Sequence, residues 1–285
     1  MIKIENYQLK KEDFFTSDQL HTHILSLNLP HIQYIKTDYL RDRKNGIIEL
    51  RGWRNRYEKI DLSQVKILVT GHSDLGIDES YMDILNMPSL ITWFCTNKLF
   101  SHPKLKSIPL GITNQFEPAS LGRHRIIGNT DRIFSIAQEL DSKFSSFAPL
   151  AYLNISQSNY PNERNEIISL FAKKEWVTYR NPEFTDQGHE HFLRNIHQHK
   201  FVFAPRGHGL DTHRLWECLY LRTIPIVKRH VGMDDFKDLP ILFVDDWSEI
   251  TEEYLHHVYE KMMQTEYSMS KITLPFWLNN ITSEP

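Results

Sequence analysis

The chain has 285 residues, of which 40% are hydrophobic and 12% aromatic, enough apolar surface for two domains of about 100–150 residues each. This composition excludes a disordered chain. The formal net charge of −3 argues against a protein that binds nucleic acid through a basic surface. No stretch approaches the ~20 apolar residues of a membrane span, and the N-terminus lacks a signal-peptide core. We therefore expect a cytoplasmic protein.

Strands that alternate with helices along the chain predict parallel β-sheets. In the first half, strands are predicted at 66–70, 90–95 and 107–110, with a short helix at 81–85. In the second half, strands are predicted at 151–155, 176–179, 201–204, 224–227 and 241–244, and helices at 162–173, 184–197, 212–223 and 251–264. We place an interdomain link at 125–148, between domains 1–145 and 146–270. A tail at 271–285 is expected to pack back on the first domain.

The segment 200–229 carries most of the candidate chemistry. A short apolar strand ends at Pro205 and is followed by Arg206, Gly207, His208 and Gly209, a turn whose glycines allow close approach of a ligand to the backbone. The following helix is predicted to begin after Asp211 or Thr212. A loop and helix N-terminus after a buried strand is where α/β proteins bind phosphate groups.

Helical periodicity places His213, Arg214 and Glu217 on one arc of this helix and its apolar residues on another. A guanidinium donates to two diphosphate oxygens at once, and a carboxylate accepts from a pair of sugar hydroxyls. The alternative is an ordinary surface ion pair between Arg214 and Glu217. The combination of loop, helix and charges favours a ligand site.

This pattern resembles the exostosin-type glycosyltransferases, in the half that binds the nucleotide-sugar. The resemblance covers roughly residues 150 to 250 and rests on Phe201, Phe203, Pro205, Gly207, Asp211, Arg214, Trp216, Glu217, the 224–227 strand, Phe236, Leu239 and Pro240. It implies a GT-B fold, in which two Rossmann-like domains with parallel sheets face a central cleft. It also implies inverting transfer from a nucleotide-sugar, with a UDP-sugar favoured, and no cofactor or essential metal. In such a site we expect the donor diphosphate to lie near Arg206, Gly207 and Arg214.

Two further loops are candidates for the same site. The loop after the 151–155 strand carries Asn154 and Ser156, and Arg164 stands early in the next helix, where it would reach the diphosphate. The alternative for Arg164 is a solvated side chain. After the 66–70 strand, His72 or Asp74 is predicted to deprotonate the acceptor hydroxyl. Their alternative roles are turn stabilisation and helix capping. The turn at 111–114 is a weaker candidate for the same cleft.

Histidines and cysteines give no metal motif. Three histidine pairs have i, i+2 spacing, which on a helix points the two side chains apart; they are His21 and His23, His189 and His191, and His197 and His199. The nearest approach to an Asp-x-Asp motif is Asp245-Asp246. Cys95 and Cys218 lie in apolar runs in opposite halves, which predicts reduced core residues.

The predicted partners are a nucleotide-sugar donor and a glycan or glycolipid acceptor, and not nucleic acid. A glycolipid acceptor would bring the protein to the inner face of a membrane. Two other classes remain open: a phosphate-handling hydrolase or nucleotidyl enzyme that uses the same loop, and a catalytically inactive module that binds nucleotide or glycan. Turnover without an acceptor would indicate the first, and binding without turnover the second.

Overall fold

The computed structural model describes residues 3–4, 9–114, 126–140 and 149–283. The strands are β1 (Lys3–Ile4), β2 (Ile32–Lys36), β3 (Ile47–Arg51), β4 (Tyr57–Asp61), β5 (Ile67–Gly71), β6 (Thr92–Cys95), β7 (Leu105–Ser107), β8 (Ala151–Leu153), β9 (Val177–Tyr179), β10 (Phe201–Phe203), β11 (Ile224–Lys228), β12 (Leu242–Val244) and β13 (Glu266–Tyr267). The helices are α1 (Ser17–Leu27), α2 (Met82–Leu85), α3 (Thr130–Leu140), α4 (Pro161–Phe171), α5 (Asp186–Gln198), α6 (His213–Tyr220), α7 (Glu252–Met263) and α8 (Leu274–Ser283).

The first half contains a four-stranded parallel sheet with the order β2-β5-β6-β7. Its strands follow one another in chain order, so the sheet has no point at which the winding reverses. An antiparallel hairpin of β3 and β4 lies in the connection between β2 and β5. The four residues of β6 are all buried, which is the pattern expected of a strand covered on both faces.

The second half contains a five-stranded parallel sheet with the order β12-β11-β10-β8-β9. If β8 to β12 are numbered 1 to 5 and the sheet is read from the β9 edge, the strand order is 2-1-3-4-5. The winding therefore reverses between β8 and β10. In open α/β sheets, ligands bind outside the carboxyl ends of the strands at this reversal. The prediction of a mixed α/β protein with parallel sheets is confirmed.

Three hydrophobic clusters hold these layers together. One covers the outer face of the first sheet and another the outer face of the second, where α4 and α7 pack. The third lies between the two sheets and includes buried residues of both, together with α1, α5, α6 and α8. Helix α6 contributes Leu215, Cys218 and Leu219 to this central cluster, as its predicted apolar arc requires. Cys95 and Cys218 are both buried and free.

Several predicted elements need correction. β7 lies at Leu105–Ser107, not at 107–110: Leu105 and Ser107 are buried and Lys106 is exposed, so a charged residue occupies the solvent side of the strand. The sequence analysis did not predict α1, β2 or the β3–β4 hairpin. Helix α6 ends at Tyr220, earlier than predicted, and Arg222 adopts a left-handed φ of 57°, which does not continue a helix.

The C-terminal helix α8 packs against α1 of the first half. Phe14 and Thr273 form an antiparallel bridge beside this contact. The Tyr220 hydroxyl accepts a hydrogen bond from the backbone N–H of Phe15 at 2.8 Å and donates to the carbonyl of Ile272. One phenol thus ties α6 to segments near both ends of the chain. The predicted boundary between residues 145 and 146 lies outside the described residues.

The two halves also meet through buried hydrogen bonds around Asp211. Its carboxylate accepts from the backbone N–H of Leu110 at 2.7 Å and from Trp216 Nε1 at 2.9 Å, and its own N–H donates to Asn97 Oδ1 at 2.9 Å. Asn97 Nδ2 in turn donates to the carbonyl of Ser73 at 3.3 Å. Because Leu110 and Asn97 belong to the first half, the loop after β10 is fixed by both halves.

Gly209 lies directly against this junction, and we expect Gly209→Ala to lower the free energy of unfolding by about 1–3 kcal/mol. A Cβ at this position would lie 2.9 Å from Asn97 Nδ2, a side chain held at both ends. Gly207→Ala is the matched control, since a Cβ there would have Arg164 Nη2 as its nearest neighbour, at 3.7 Å. Urea denaturation measures both changes. Equal losses in the two variants would show that the Asn97 contact is not the constraint.

Candidate functional site

A cavity of about 310 Å³ lies at the carboxyl edge of the second sheet, at the reversal between β8 and β10. The loops that follow β8, β9 and β10 form most of its wall, together with α5 and α6. The first half contributes Asp74, Leu110 and Thr113. Its position is the one at which parallel α/β sheets bind ligands.

Most of the predicted site residues border this one cavity. From the β8 side come Asn154, Ser156 and Arg164; from the β10 loop and α6 come Gly207, His208, Gly209, His213, Arg214 and Glu217; and Asp74 borders it from the first half. His72 and Arg206 do not border it. The structure therefore brings together residues separated by more than 100 positions in the chain.

Arg164 connects the two loops that flank the reversal. It is 7% exposed, and its Nε donates to the carbonyl of Arg206 at 2.9 Å while Nη1 donates to the carbonyl of Ser156 at 3.0 Å. Burial and the nearby Arg214 lower the pKa of Arg164 to about 10. The solvated alternative for Arg164 is thus wrong. Arg164 is a charged residue that fixes the backbone on both sides of the cavity.

Arg214 and Glu217 are neighbours on α6 but do not form the surface ion pair that the spacing allowed. Glu217 is 4% exposed, and within the described chain Arg214 acts on it only through its charge, without a hydrogen bond. Arg214 stacks over the Phe192 ring at 5.1 Å, and its Nε is buried without a hydrogen-bond partner. Burial lowers the pKa of Arg214 and raises that of Glu217 to about 7. Both groups therefore have hydrogen-bonding capacity that the protein leaves unused.

Arg206, predicted to bind the diphosphate, is directed elsewhere. Its guanidinium stacks over Tyr160 at 4.1 Å and donates to the carbonyl of His208 at 3.1 Å. The backbone N–H of Gly207 donates to the carbonyl of Gly209 at 3.1 Å, which closes the turn. The contribution of Arg206 that the structure shows is therefore to the shape of the glycine loop.

His72, predicted as one of two possible bases, lies in a buried polar chain. Its side chain is 4% exposed, Nε2 lies 2.6 Å from Asp18 Oδ1 and Nδ1 lies 2.8 Å from the Tyr34 hydroxyl. Both ring nitrogens are thus engaged. Asp74, two residues later, is exposed and borders the cavity. Of the two candidate bases, only Asp74 borders the cavity.

Two further polar contributions to the cavity wall come from His213 and Thr113. His213 Nδ1 lies 2.7 Å from the carbonyl of Gly111, so this histidine joins α6 to the turn at 111–114. Thr113 is 1% exposed, and its hydroxyl is buried without a partner in the described chain. The turn at 111–114, a weak candidate from sequence, thus contributes a polar group to the cavity wall.

Sequence reasoning missed the wall that follows β9. Pro182, Glu183 and Phe184 border the cavity from the β9 loop, and His189 and Phe192 border it from α5. Phe184 is 45% exposed. The available signal was a proline-containing loop directly after the predicted 176–179 strand, which places it at the same carboxyl edge as the other two loops.

The described part of the chain contains no group of three or more His, Cys, Asp or Glu arranged to hold a metal ion. Among the described helices, none is long and apolar enough to cross a membrane. A scan against protein-family models finds no match, and no curated protein matches the sequence. The candidate site therefore rests on its own geometry.

Burial of Glu217 predicts a pH dependence of stability. A carboxyl group whose pKa rises to about 7 on folding holds a proton that the unfolded chain has already lost, so its contribution to stability falls as pH rises from about 4 to 7. We expect Glu217→Gln to remove this decline and to stabilise the protein at pH 8 by on the order of 1–3 kcal/mol relative to wild type.

The measurement is denaturant unfolding at several pH values for both proteins. Glu166→Gln, at an exposed position of α4, is the control and keeps the wild-type pH dependence. Parallel pH profiles for wild type and Glu217→Gln would contradict a buried, proton-binding Glu217.

Proposed function

We propose that this protein is an inverting glycosyltransferase of the GT-B type that moves a sugar from a nucleotide-sugar to a hydroxyl of a glycan or glycolipid. A UDP-sugar is the favoured donor. The observation that carries the proposal is a single cavity at the sheet reversal, bordered by Arg164 and Arg214 on the second half and by Asp74 on the first. The sequence resemblance to exostosin-type enzymes points the same way.

The donor diphosphate is assigned to the wall between the β8 and β10 loops. Arg214 offers the unpaired N–H of its Nε there, and the glycine loop leads into the N-terminus of α6, which favours negative charge. Arg164 adds positive charge from the other side. These groups stabilise the charge that develops on the leaving diphosphate, a role that a metal ion fills in other transferases.

Glu217 is assigned to the hydroxyl groups of the donor. It is buried in the cavity wall one turn after Arg214 and has no hydrogen-bond partner among the described residues. A carboxylate accepts from two neighbouring hydroxyls, and a protonated carboxyl also donates. With a pKa raised to about 7, Glu217 has both forms available near neutral pH.

The acceptor enters from the first half, where Asp74 and Thr113 border the cavity. The acceptor oxygen attacks the anomeric carbon on the face opposite the diphosphate. The new carbon–oxygen bond forms as the bond to the diphosphate oxygen breaks, and the diphosphate leaves with the electron pair. The hydroxyl proton passes to the Asp74 carboxylate. One displacement of this kind inverts the configuration of the sugar.

Arg214→Ala tests the donor site. We expect kcat/KM for transfer to fall by about 10²–10³-fold, because the variant lacks a preorganised cation at the developing charge. Arg229→Ala, which removes an exposed arginine paired with Asp245, is the control and retains activity. A panel of UDP-, GDP-, CMP- and ADP-sugars, assayed by thermal shift with EDTA present, identifies the donor beforehand.

A donor that stabilises wild type but not Arg214→Ala supports the proposal. Transfer by Arg214→Ala at the wild-type rate would overturn the assignment of the diphosphate. Hydrolysis of the nucleotide-sugar at the same rate with and without acceptor would favour a hydrolase.

The variant Asp74→Asn tests the role of Asp74 as the base separately from binding of the donor. We expect the variant to bind the donor as wild type does but to lose transfer by about 10²–10⁴-fold, because an amide does not accept the hydroxyl proton. Glu79→Gln, at an exposed position just after the same loop, is the control. Donor affinity is measured by calorimetry and transfer by product formation. Unchanged transfer by Asp74→Asn would remove Asp74 from the mechanism.

A further inference from the structure

His189 borders the cavity and has one ring nitrogen without a partner. The residue lies in the first turn of α5 and is 2% exposed. Its Nδ1 lies 2.9 Å from Arg132 Nη1. A guanidinium only donates hydrogen bonds, so Nδ1 accepts and the ring proton stands on Nε2. Nε2 is buried and has no hydrogen-bond partner in the described chain.

The surroundings keep this ring neutral and fix its tautomer. Burial lowers the pKa of His189 to about 4, and the positive charge of Arg132 acts in the same direction. Arg132 is itself held by Asp186, whose Oδ1 accepts from Nη2 at 2.6 Å. A buried N–H group left unpaired costs about 1–3 kcal/mol. The chain therefore maintains, at the edge of the cavity, a donor that an acceptor atom of a ligand would satisfy.

The neighbouring wall is suited to a flat, uncharged ring. Phe184 and Pro182 come from the loop after β9, Phe192 comes from α5, and Glu183 adds a carboxylate that disfavours phosphate at this wall. Because β8 lies between β9 and β10, the β9 and β10 loops are separated by two strand spacings, or about 10 Å. This separation is comparable to the distance between the base and the diphosphate of a nucleotide. Stacking of a base on an aromatic side chain contributes about 1–3 kcal/mol.

We propose that His189 selects the base of the nucleotide: its Nε2–H donates to a carbonyl oxygen of the planar ring that lies against Phe184. This inference rests on the proposed function and narrows the donor to a nucleotide whose base bears a ring carbonyl, such as uracil or guanine. Adenine has no such oxygen. Arg132 and Asp186 act as positioning residues, since they hold the tautomer that His189 needs.

The test compares a nucleotide with a ligand that has no base. Affinities for UDP, GDP, ADP and inorganic pyrophosphate are measured by calorimetry on wild type, His189→Phe and His189→Asn. We expect His189→Phe to weaken the tighter of UDP and GDP by about 3- to 10-fold, the equivalent of one hydrogen bond, and to change pyrophosphate affinity less than twofold. His189→Asn, which keeps an N–H donor, recovers part of the loss. His191→Phe, at an exposed position of the same helix, leaves all four affinities unchanged.

Each remaining outcome counts against the assignment of the base, and one of them also counts against the proposed function. Equal affinity of wild type and His189→Phe for UDP and GDP, or an equal loss for pyrophosphate, overturns the assignment of the base but leaves the proposed function standing. Tighter binding of ADP than of UDP and GDP also overturns it. No binding of any nucleotide or of pyrophosphate by wild type overturns the donor site itself, and this inference with it.

Discussion

The architecture of the site depends on one buried carboxyl group, that of Asp211. It is 4% exposed and stands in the loop that leaves β10, where it accepts a backbone hydrogen bond from Leu110 of the first half and one from Trp216 of α6. Burial raises its pKa to about 7. Such a group is stabilising only while its hydrogen bonds are complete. The glycine loop and the start of α6 are consequently positioned by the contact between the halves, and the site forms as the halves dock.

The same constraint explains why the glycine turn is shaped as it is. Gly209 borders the cavity but also faces the side chain of Asn97, so the contact between the halves requires its lack of a Cβ. Gly207 has more space and borders the cavity. The two glycines of this motif are therefore limited by different neighbours. A motif alone does not separate them, because the neighbour that limits Gly209 lies 112 residues away in the chain.

The charged side chains around the cavity keep hydrogen-bonding capacity that the described part of the chain does not use. Arg164 uses its N–H groups on backbone carbonyls, whereas the half-buried Arg214, with its buried Nε, and the buried Glu217 form no ion pair with each other. Unpaired buried charge is costly, and proteins retain it mainly where a ligand or reaction uses it. An anionic ligand with hydroxyl groups would satisfy both side chains. A buried, hydrogen-bonded His72 supports the loop of Asp74 in the first half.

The sequence by itself determined the parallel α/β class and most strands and helices of the second half, because their apolar runs and helical periodicity are local properties. It also pointed to loops at strand ends, which is why Arg164, Arg214 and Asp74 were predicted as site residues and all three border the same cavity. Tertiary structure decided the rest. The order of the strands, which places the reversal between β8 and β10, depends on pairing between distant segments. Whether Arg206 or His72 faces the cavity depends on partners such as Tyr160 and Asp18, and His189 became a candidate only when Arg132, 57 residues away, fixed its tautomer.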